Sequence, residues 1–315
     1  MTPSISVVIP TYRRPDLLDG CLTSLERQTV GHDEAEIVVV DDGSGDATQD
    51  VLRSWSERLP NLRAFEQALN RGPAAARNRA VGEASAELVL FLDDDVVATP
   101  DLVARHLAHH RQVTDPTQGL LGRIEWLPDL TVTAFMRWLD GSGLQFGYDT
   151  WLRDGPVEPP YAAFYTANLS MNRQQFMDAG GFDERFPYPA YEDFELAFRL
   201  TEAGFRLEYR SDIIGYHSRA ITLPDFARRM GMVAESAALM AIIRPEFPIE
   251  DPGLGRIDTR RRTRLLLRLA ALAGPRLAGG RLLDRYFRTE VAAGFKDGRA
   301  RAAQRATDAS GGPPS

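Results

Sequence analysis

The sequence is poor in cysteine. Of 315 residues only Cys21 is one, which excludes an intrachain disulfide framework and a cysteine-rich zinc site. Long apolar runs are missing too, and no stretch approaches the roughly 20 residues needed to cross a bilayer. The opening, MTPSISVVIP, has no basic start and an apolar run only as long as a strand, so it does not read as a signal peptide. No internal repeat is present. These absences leave a cytoplasmic location as the expectation. What remains is ordinary for a soluble protein: 43% hydrophobic and 26% charged residues, enough for one large domain or a domain with an appendage.

Charge is unevenly spread. Residues 256–306 hold 13 Arg and 1 Lys against 3 Asp and 1 Glu, a balance of +10, so the remainder carries −17 of the net −7. An acidic body with a basic end argues against a general nucleic-acid binder. It fits a body that holds a metal ion and a tail that meets something anionic.

The first hundred residues alternate in type. Strands are expected at 5–10, 36–42, 62–67 and 87–92, with helices at 15–28, from about 46 to 58, and over AAARNRAVGEA. Such alternation predicts an α/β fold with a mainly parallel sheet flanked by helices. Ligands of these sheets collect beyond the carboxyl ends of the strands. Thr11, the Asp41-Asp42 pair and the Asp93–Asp95 cluster all fall at such ends, so they are expected on one rim.

Three adjacent aspartates repel one another. Carboxylates at i and i+2 of a strand end can face a hard cation such as Mg²⁺ or Mn²⁺, whose charge offsets the repulsion. The same acidic run can also cap a solvated turn before Pro100, and Asp41-Asp42-Gly43 can be a plain turn.

The motifs stand in company. PTYRR (10–14), VVVDDGSGDAT (38–48), NRGPAAARNRAVGEA (70–84), LVLFLDDD (88–95), TANLSMNRQQFMDAGGFDERF (166–186), YEDFELAFRL (191–200) and YHSR (216–219) follow in order. Together they closely resemble the family 2 glycosyltransferases, the inverting enzymes of the GT-A (Rossmann-like) fold that use nucleotide-sugar donors. The resemblance covers roughly residues 4–220. It implies a nucleotide-sugar site drawn from Pro10, Thr11, Tyr12, Arg14, Asp41, Asp42, Arg77, Asn78, Asp93 and Asp94. Within it Asp42 meets the base, Arg77 supplies charge for phosphate, and Asp94 lies near the sugar.

The resemblance also implies a divalent metal, Mn²⁺ or Mg²⁺, on Asp93 and Asp95, with His217 where some members place a further ligand. It puts the general base at Asp193, with the adjacent Glu192 in a capping or positioning role. Each residue has a plainer reading: a surface arginine, a packed histidine, an acidic helix start favoured by the macrodipole. Glu195 stands where relatives often carry aspartate, a departure that blurs the acceptor side. Trp126, Trp138, Tyr148 and Trp151 could stack on sugar faces, although aromatic residues are more often core.

Residues 256–290 interleave arginine with leucine, alanine and phenylalanine, as on a basic amphipathic helix at an anionic membrane. A packed helical appendage with an arginine-rich outer face reads equally from this pattern. Gly274-Pro275 and Gly279-Gly280 argue for a helical pair rather than one long helix. Expected boundaries are a catalytic domain at 1–220, a helical extension at 221–297 and a disordered tail at 298–315. Processive synthases of the family carry transmembrane helices and a Gln-x-x-Arg-Trp motif; neither occurs here, so single transfers are expected. The acceptor is left open among saccharides, lipid-linked molecules and small molecules.

Two rivals remain at this stage. A dehalogenase-like phosphatase needs a D-x-D nucleophile after its first strand, where this chain has PTYRR. A non-catalytic nucleotide-sugar or carbohydrate-binding protein would have no use for the intact Asp93, Asp95 and Asp193.

Overall fold

The computed structural model describes residues 2–113, 115–249, 252–272 and 275–310. Two compact units emerge: one comprises residues 1–132 and 146–220, the other 133–145 and 221–315.

The first unit is built on a nine-stranded sheet. Strands β1 (Ile5–Thr11), β2 (Ala35–Asp41), β3 (Leu62–Glu66) and β4 (Leu88–Leu92) pair in the parallel order β3-β2-β1-β4. Helices α1 (Pro15–Glu26), α2 (Thr48–Arg58) and α3 (Pro73–Glu83) make the crossovers. β-Branched residues fill β1 and β2, and nearly every position there is buried, as expected of strands covered on both faces. By contrast β3 is the sheet edge, and its residues are mostly exposed.

The other half of the sheet is mixed. β4 pairs antiparallel with β8 (Asn168–Asn172), which pairs antiparallel with β6 (Gln118–Trp126). β6 runs parallel to the long strand β9 (Arg206–His217), with a register shift at Gly122/Arg123. Short strands β5 (Val96–Ala98) and β7 (Gly155–Val157) each pair antiparallel with β9. Parallel pairing is thus concentrated where strand and helix alternate, and the later strands close the sheet with antiparallel ladders. Helix α4 (Leu102–Gln112) places His106 in the core, where its ring nitrogens meet Ser170 Oγ at 2.7 Å and Asn168 Oδ1 at 2.9 Å. The Asn168 amide in turn donates to the carbonyls of Arg123 and Ile213 at 3.1 and 3.0 Å, holding both sides of the register shift. Two short helices, α6 (Arg173–Asp178) and α7 (Glu192–Glu202), complete this unit.

Helix α5 (Ala134–Ser142) belongs to the second unit, with α8 (Leu223–Ile243), α9 (Arg261–Leu272) and α10 (Pro275–Ser310). Its core gathers Phe135, Leu139, Phe226, Met230, Phe287, Val291 and Phe295. Trp138 is partly buried and packs against this core: its ring stacks on Phe135 at 5.6 Å and its N–H donates to Asp284 at 2.9 Å. The disordered tail expected from 298 is instead helical through Ser310, because Arg301 and Arg305 pair with the buried Glu235 on α8 at 2.6 and 2.9 Å. Residues 311–315 of that expected tail lie outside the described residues. The pair of helices is present as α9 and α10, but α10 runs through Gly279-Gly280 without a break. Among the described residues, no helix is long and apolar enough to cross a membrane.

Candidate active site

Parallel register brings the acidic strand ends together. Thr11 pairs with Asp41, and Val8 with Phe91, so continuing the second register sets Asp94 level with Thr11. The Thr11 hydroxyl donates to Asp94 Oδ2 at 2.8 Å. The expected common rim is formed, and its repulsion is balanced by arginines from three different segments.

Arg14, at the start of α1, donates to Asp94 Oδ1 at 3.0 Å and lies 3.6 Å from Asp95. Arg219 approaches Asp95 at 3.6 Å from beyond β9. Arg77, on α3, donates to Asp93 at 2.8 Å through one terminal nitrogen and to Glu192 at 3.1 Å through the other. Of these residues the sequence reading overlooked Arg219. It stands two positions beyond His217 in YHSR, a period-two spacing that can direct both side chains to one face.

Arg77 departs from its expected place. It is 4% exposed, with both terminal nitrogens held by carboxylates, so it cross-links the end of β4 to the start of α7 instead of standing open to phosphate. Burial works against its charge, but Asp93 and Glu192 more than offset that and hold the guanidinium above its usual range, with Asp193 adding to the same field. Burial also opposes the charge of Asp93, and Arg77 overcomes it, keeping that carboxyl below its usual range. Asp94 goes the other way. Burial, with repulsion from Asp95 and Asp93, prevails over Arg14 and pushes it up to about 6.

Asn78 is likewise structural. Its amide donates to the Phe182 carbonyl at 2.9 Å and accepts from the Phe182 N–H at 2.8 Å, pinning the GGFDERF loop to α3. Asp42 is buried and accepts from Gln67 at 2.7 Å and from the N–H groups of Arg71 and Gly72, both at 2.8 Å. Burial raises its carboxyl against these bonds. Asp41 accepts from Gln49 and Ser44 and closes the turn after β2. Gly43 sits in that turn at φ +73°, where an added Cβ would come within 2.9 Å of the Leu69 backbone. Pro10 is half-buried at the end of β1, whereas Tyr12 is exposed, with the Arg13 guanidinium 5.2 Å from its ring centre.

Among the described residues, two non-glycines take left-handed backbone angles, Arg13 at φ +52° and Tyr191 at φ +70°. Each adjoins a site motif, and strained backbone of this kind concentrates where a chain must aim side chains. Tyr191 opens α7, so Glu192 and Asp193 form its first turn. Glu192 is buried against Arg77, while Asp193 is partly exposed. Glu195 is fully buried and paired with Arg199 at 2.8 and 2.6 Å, an anchor for α7.

Antiparallel pairing of β5 with β9 sets His217 opposite Val96, next to Asp95, and His217 Nε2 lies 3.8 Å from Asp95 Oδ1. Ser218 donates its N–H to the Asp95 carbonyl at 2.9 Å, fixing the junction. Among the described residues no three His, Cys, Asp or Glu side chains are arranged to hold an ion by themselves. Asp93, the third expected ligand, also accepts from Arg77 and keeps 29% of its side chain exposed. Asp95 and His217 still supply a carboxylate oxygen and an imidazole nitrogen side by side. That donor pair fits a Mg²⁺ or Mn²⁺ ion that completes its shell from phosphate oxygens and water.

Of the candidate stacking aromatics, Tyr148 is core, lying over Tyr209 at 5.6 Å. Trp126 lies 5.9 Å from the His217 ring, as does Phe146. Trp151 is 46% exposed, so it alone of the four presents a broad face to solvent.

Known proteins share this pattern. A family model described as glycosyl transferase family 2 matches residues 6–154, and one described as glycosyltransferase-like family 2 matches residues 138–247. Validoxylamine A glucosyltransferase of Streptomyces hygroscopicus subsp. limoneus is 36% identical over 221 residues, 64% of this chain and 49% of the relative. The pre-mycofactocin glycosyltransferase of Mycobacterium tuberculosis is 29% identical over 247 residues, 77% of this chain and 48% of the relative. The chain thus spans about half the length of these relatives.

Among solved structures, mannosyltransferase PcManGT from Pyrobaculum calidifontis, in complex with GDP-Man and Mn²⁺, superposes with a TM-score of 0.61 at 20% identity, covering 97% of this chain and 88% of that one. S. aureus TarS 1-349, in complex with UDP-GlcNAc, gives 0.56 at 19% identity, covering 97% and 92%. At such identities the likeness establishes the GT-A fold and leaves substrates aside. With two family models spanning residues 6–247 and the acidic strand ends gathered on one rim, this chain belongs to the family 2 glycosyltransferases.

Proposed function

We propose that the protein transfers a sugar from a nucleoside-diphosphate donor to an acceptor hydroxyl, with inversion at the anomeric carbon and one transfer per binding event. The observation that carries this reading is Arg77. Its guanidinium joins Asp93, at the end of β4, to Glu192, at the start of α7, and so brings the base-bearing turn to the acidic rim.

In this reading the acceptor oxygen attacks the anomeric carbon as the bond to the diphosphate breaks, and the diphosphate leaves with the electron pair. Asp193 takes the acceptor proton. Glu192, locked by Arg77, fixes the helical turn from which Asp193 projects, roughly 100° around the axis. Asp95 and His217, with Asp93, would hold the divalent ion, which when bound neutralises the departing diphosphate. Pro10, Thr11, Tyr12, Asp41 and Asp42 wall the nucleotide pocket, with Tyr12 offering its exposed ring to the base. Asp94, held between Thr11 and Arg14, faces the sugar. The acceptor is a saccharide, a lipid-linked molecule or a small molecule, met in the cytoplasm or at the inner face of a membrane touched through residues 256–290.

Asp193→Asn tests the base. Turnover should fall by about 10²- to 10⁴-fold while nucleotide affinity is kept. Undiminished turnover would remove Asp193 from the role. If the wild type binds nucleotide but transfers nothing to water or to any acceptor, the protein is a non-catalytic binder on this fold.

A further inference from the structure

The second unit presents one helix face that its own core does not explain. On α9, Leu267 is buried and Arg264 pairs with Glu290 at 2.6 Å, so this side faces the helical core. Leu265, Leu266 and Leu269 are 56%, 67% and 56% exposed. At about 100° per residue these three share an arc of roughly 100° on the side away from Leu267. A helix that only needed to be soluble would carry polar residues there.

The charges on the same face are uncompensated. Arg260 and Arg264 have carboxylate partners, Asp258 at 2.9 Å and Glu290 at 2.6 Å. Arg261, Arg262 and Arg268 are exposed and have no ion pair among the described residues. Arg261 and Arg268 border the leucine arc, and Arg262 lies on it one turn toward the N-terminus. From residue 259 to residue 283 the sequence contains seven arginines and neither aspartate nor glutamate.

We propose that α9 is a membrane-contact helix. It lies flat on an anionic lipid surface, with Leu265, Leu266 and Leu269 in the acyl boundary and Arg261, Arg262 and Arg268 on lipid phosphates. Exposed leucines alone would fit any apolar partner, and arginines alone would fit any polyanion. Their interleaving on one short helix matches the boundary between charged headgroups and acyl chains. The proposal narrows the peripheral-contact reading of residues 256–290 to one face and one lipid chemistry, and it rests on that reading.

The test is flotation of the full chain with vesicles of phosphatidylcholine alone or with 30% phosphatidylglycerol, at low and high salt. Binding should be at least tenfold stronger on the anionic vesicles and weaken with salt. Arg261→Glu with Arg262→Glu should cost at least fivefold per position. Leu265→Ser with Leu269→Ser should cost tenfold or more while leaving the far-ultraviolet spectrum and nucleotide binding unchanged.

Binding that depends on the arginines but ignores the leucine changes would overturn insertion by α9 and leave peripheral contact standing. No binding to either vesicle would overturn both. A wild-type dimer in sedimentation that the leucine changes abolish, without lipid binding, would assign the face to a second copy of the chain and overturn the proposal.

Discussion

Arg77→Met removes the charge that Asp93 and Glu192 share and replaces it with a shorter, apolar, unbranched chain. Arg77 and Glu192 are 4% and 2% exposed and meet at 3.1 Å, so the change leaves a carboxylate buried without its cation. Breaking a buried pair by removing one partner costs about 3–5 kcal/mol. Asp93 softens the loss, because 29% of its side chain is exposed and Arg14 and His217 also attract it. The expected cost is therefore about 3 kcal/mol, dominated by Glu192, a large share of the roughly 5–15 kcal/mol that holds a typical domain. Urea unfolding should show the midpoint falling by about 1 M. Arg77→Lys should lose an intermediate amount, since one ammonium cannot reproduce a planar fork between two carboxylates. Combining Arg77→Met with Glu192→Gln should cost clearly less than the sum of the single changes. A loss below about 1 kcal/mol for Arg77→Met, or strict additivity in the double variant, would refute the cross-link.

Two further outcomes follow from the same unit. His106 is fully buried, and burial, reinforced by His110 and His109, pushes it down to about 3. The unfolded chain then takes up that proton first as pH falls below about 6.5, so stability should drop by about 1.4 kcal/mol per pH unit between there and about 3. By pH 5 the loss is about 2 kcal/mol, and His106→Gln should flatten the slope of urea midpoint against pH; an unchanged slope would show that other groups set it. Gly43→Ala forces a Cβ to within 2.9 Å of the Leu69 backbone at φ +73°, and it should cost about 1–3 kcal/mol and weaken nucleotide binding, both read by melting with and without nucleotide.

Much of the first sheet was legible because the signal there is local. Residues 5–10 are a β-branched run, Leu18, Cys21, Leu22 and Leu25 recur at helical spacing, and turn residues separate the segments. Four strands in a row were therefore placed to within a residue or two. The rim of Thr11, Asp41 and the Asp93–Asp95 cluster followed from parallel register.

What could not be read depends on distant pairing. β5 is three residues long and carries no periodicity of its own; only its ladder with β9 sets Asp95 beside His217. Residues 133–145 belong to the helical unit, a relation visible only when Phe135 meets Phe226 and Phe287. Arg77 read as a charge for phosphate, or more plainly as a surface arginine, because its partners lie 16 and 115 residues away. The same holds for Asn78, whose partner loop is 104 residues on. The tail misled for a compositional reason. Its alanines and arginines read as low complexity until Glu235 supplied the countercharge.

The central claim is that the acidic rim holds a metal and a nucleoside diphosphate, and melting of the protein tests it most directly. UDP, GDP, dTDP and CDP would each be added with and without Mn²⁺. A ligand at about 100 times its dissociation constant stabilises by roughly 2.7 kcal/mol, a readily measured rise in melting temperature. The account expects one nucleotide to raise the melting temperature strongly with Mn²⁺ and weakly without it, and an Asp95→Asn variant to lose the metal-dependent part. Equal shifts with and without metal, or no shift with any nucleotide, would contradict it.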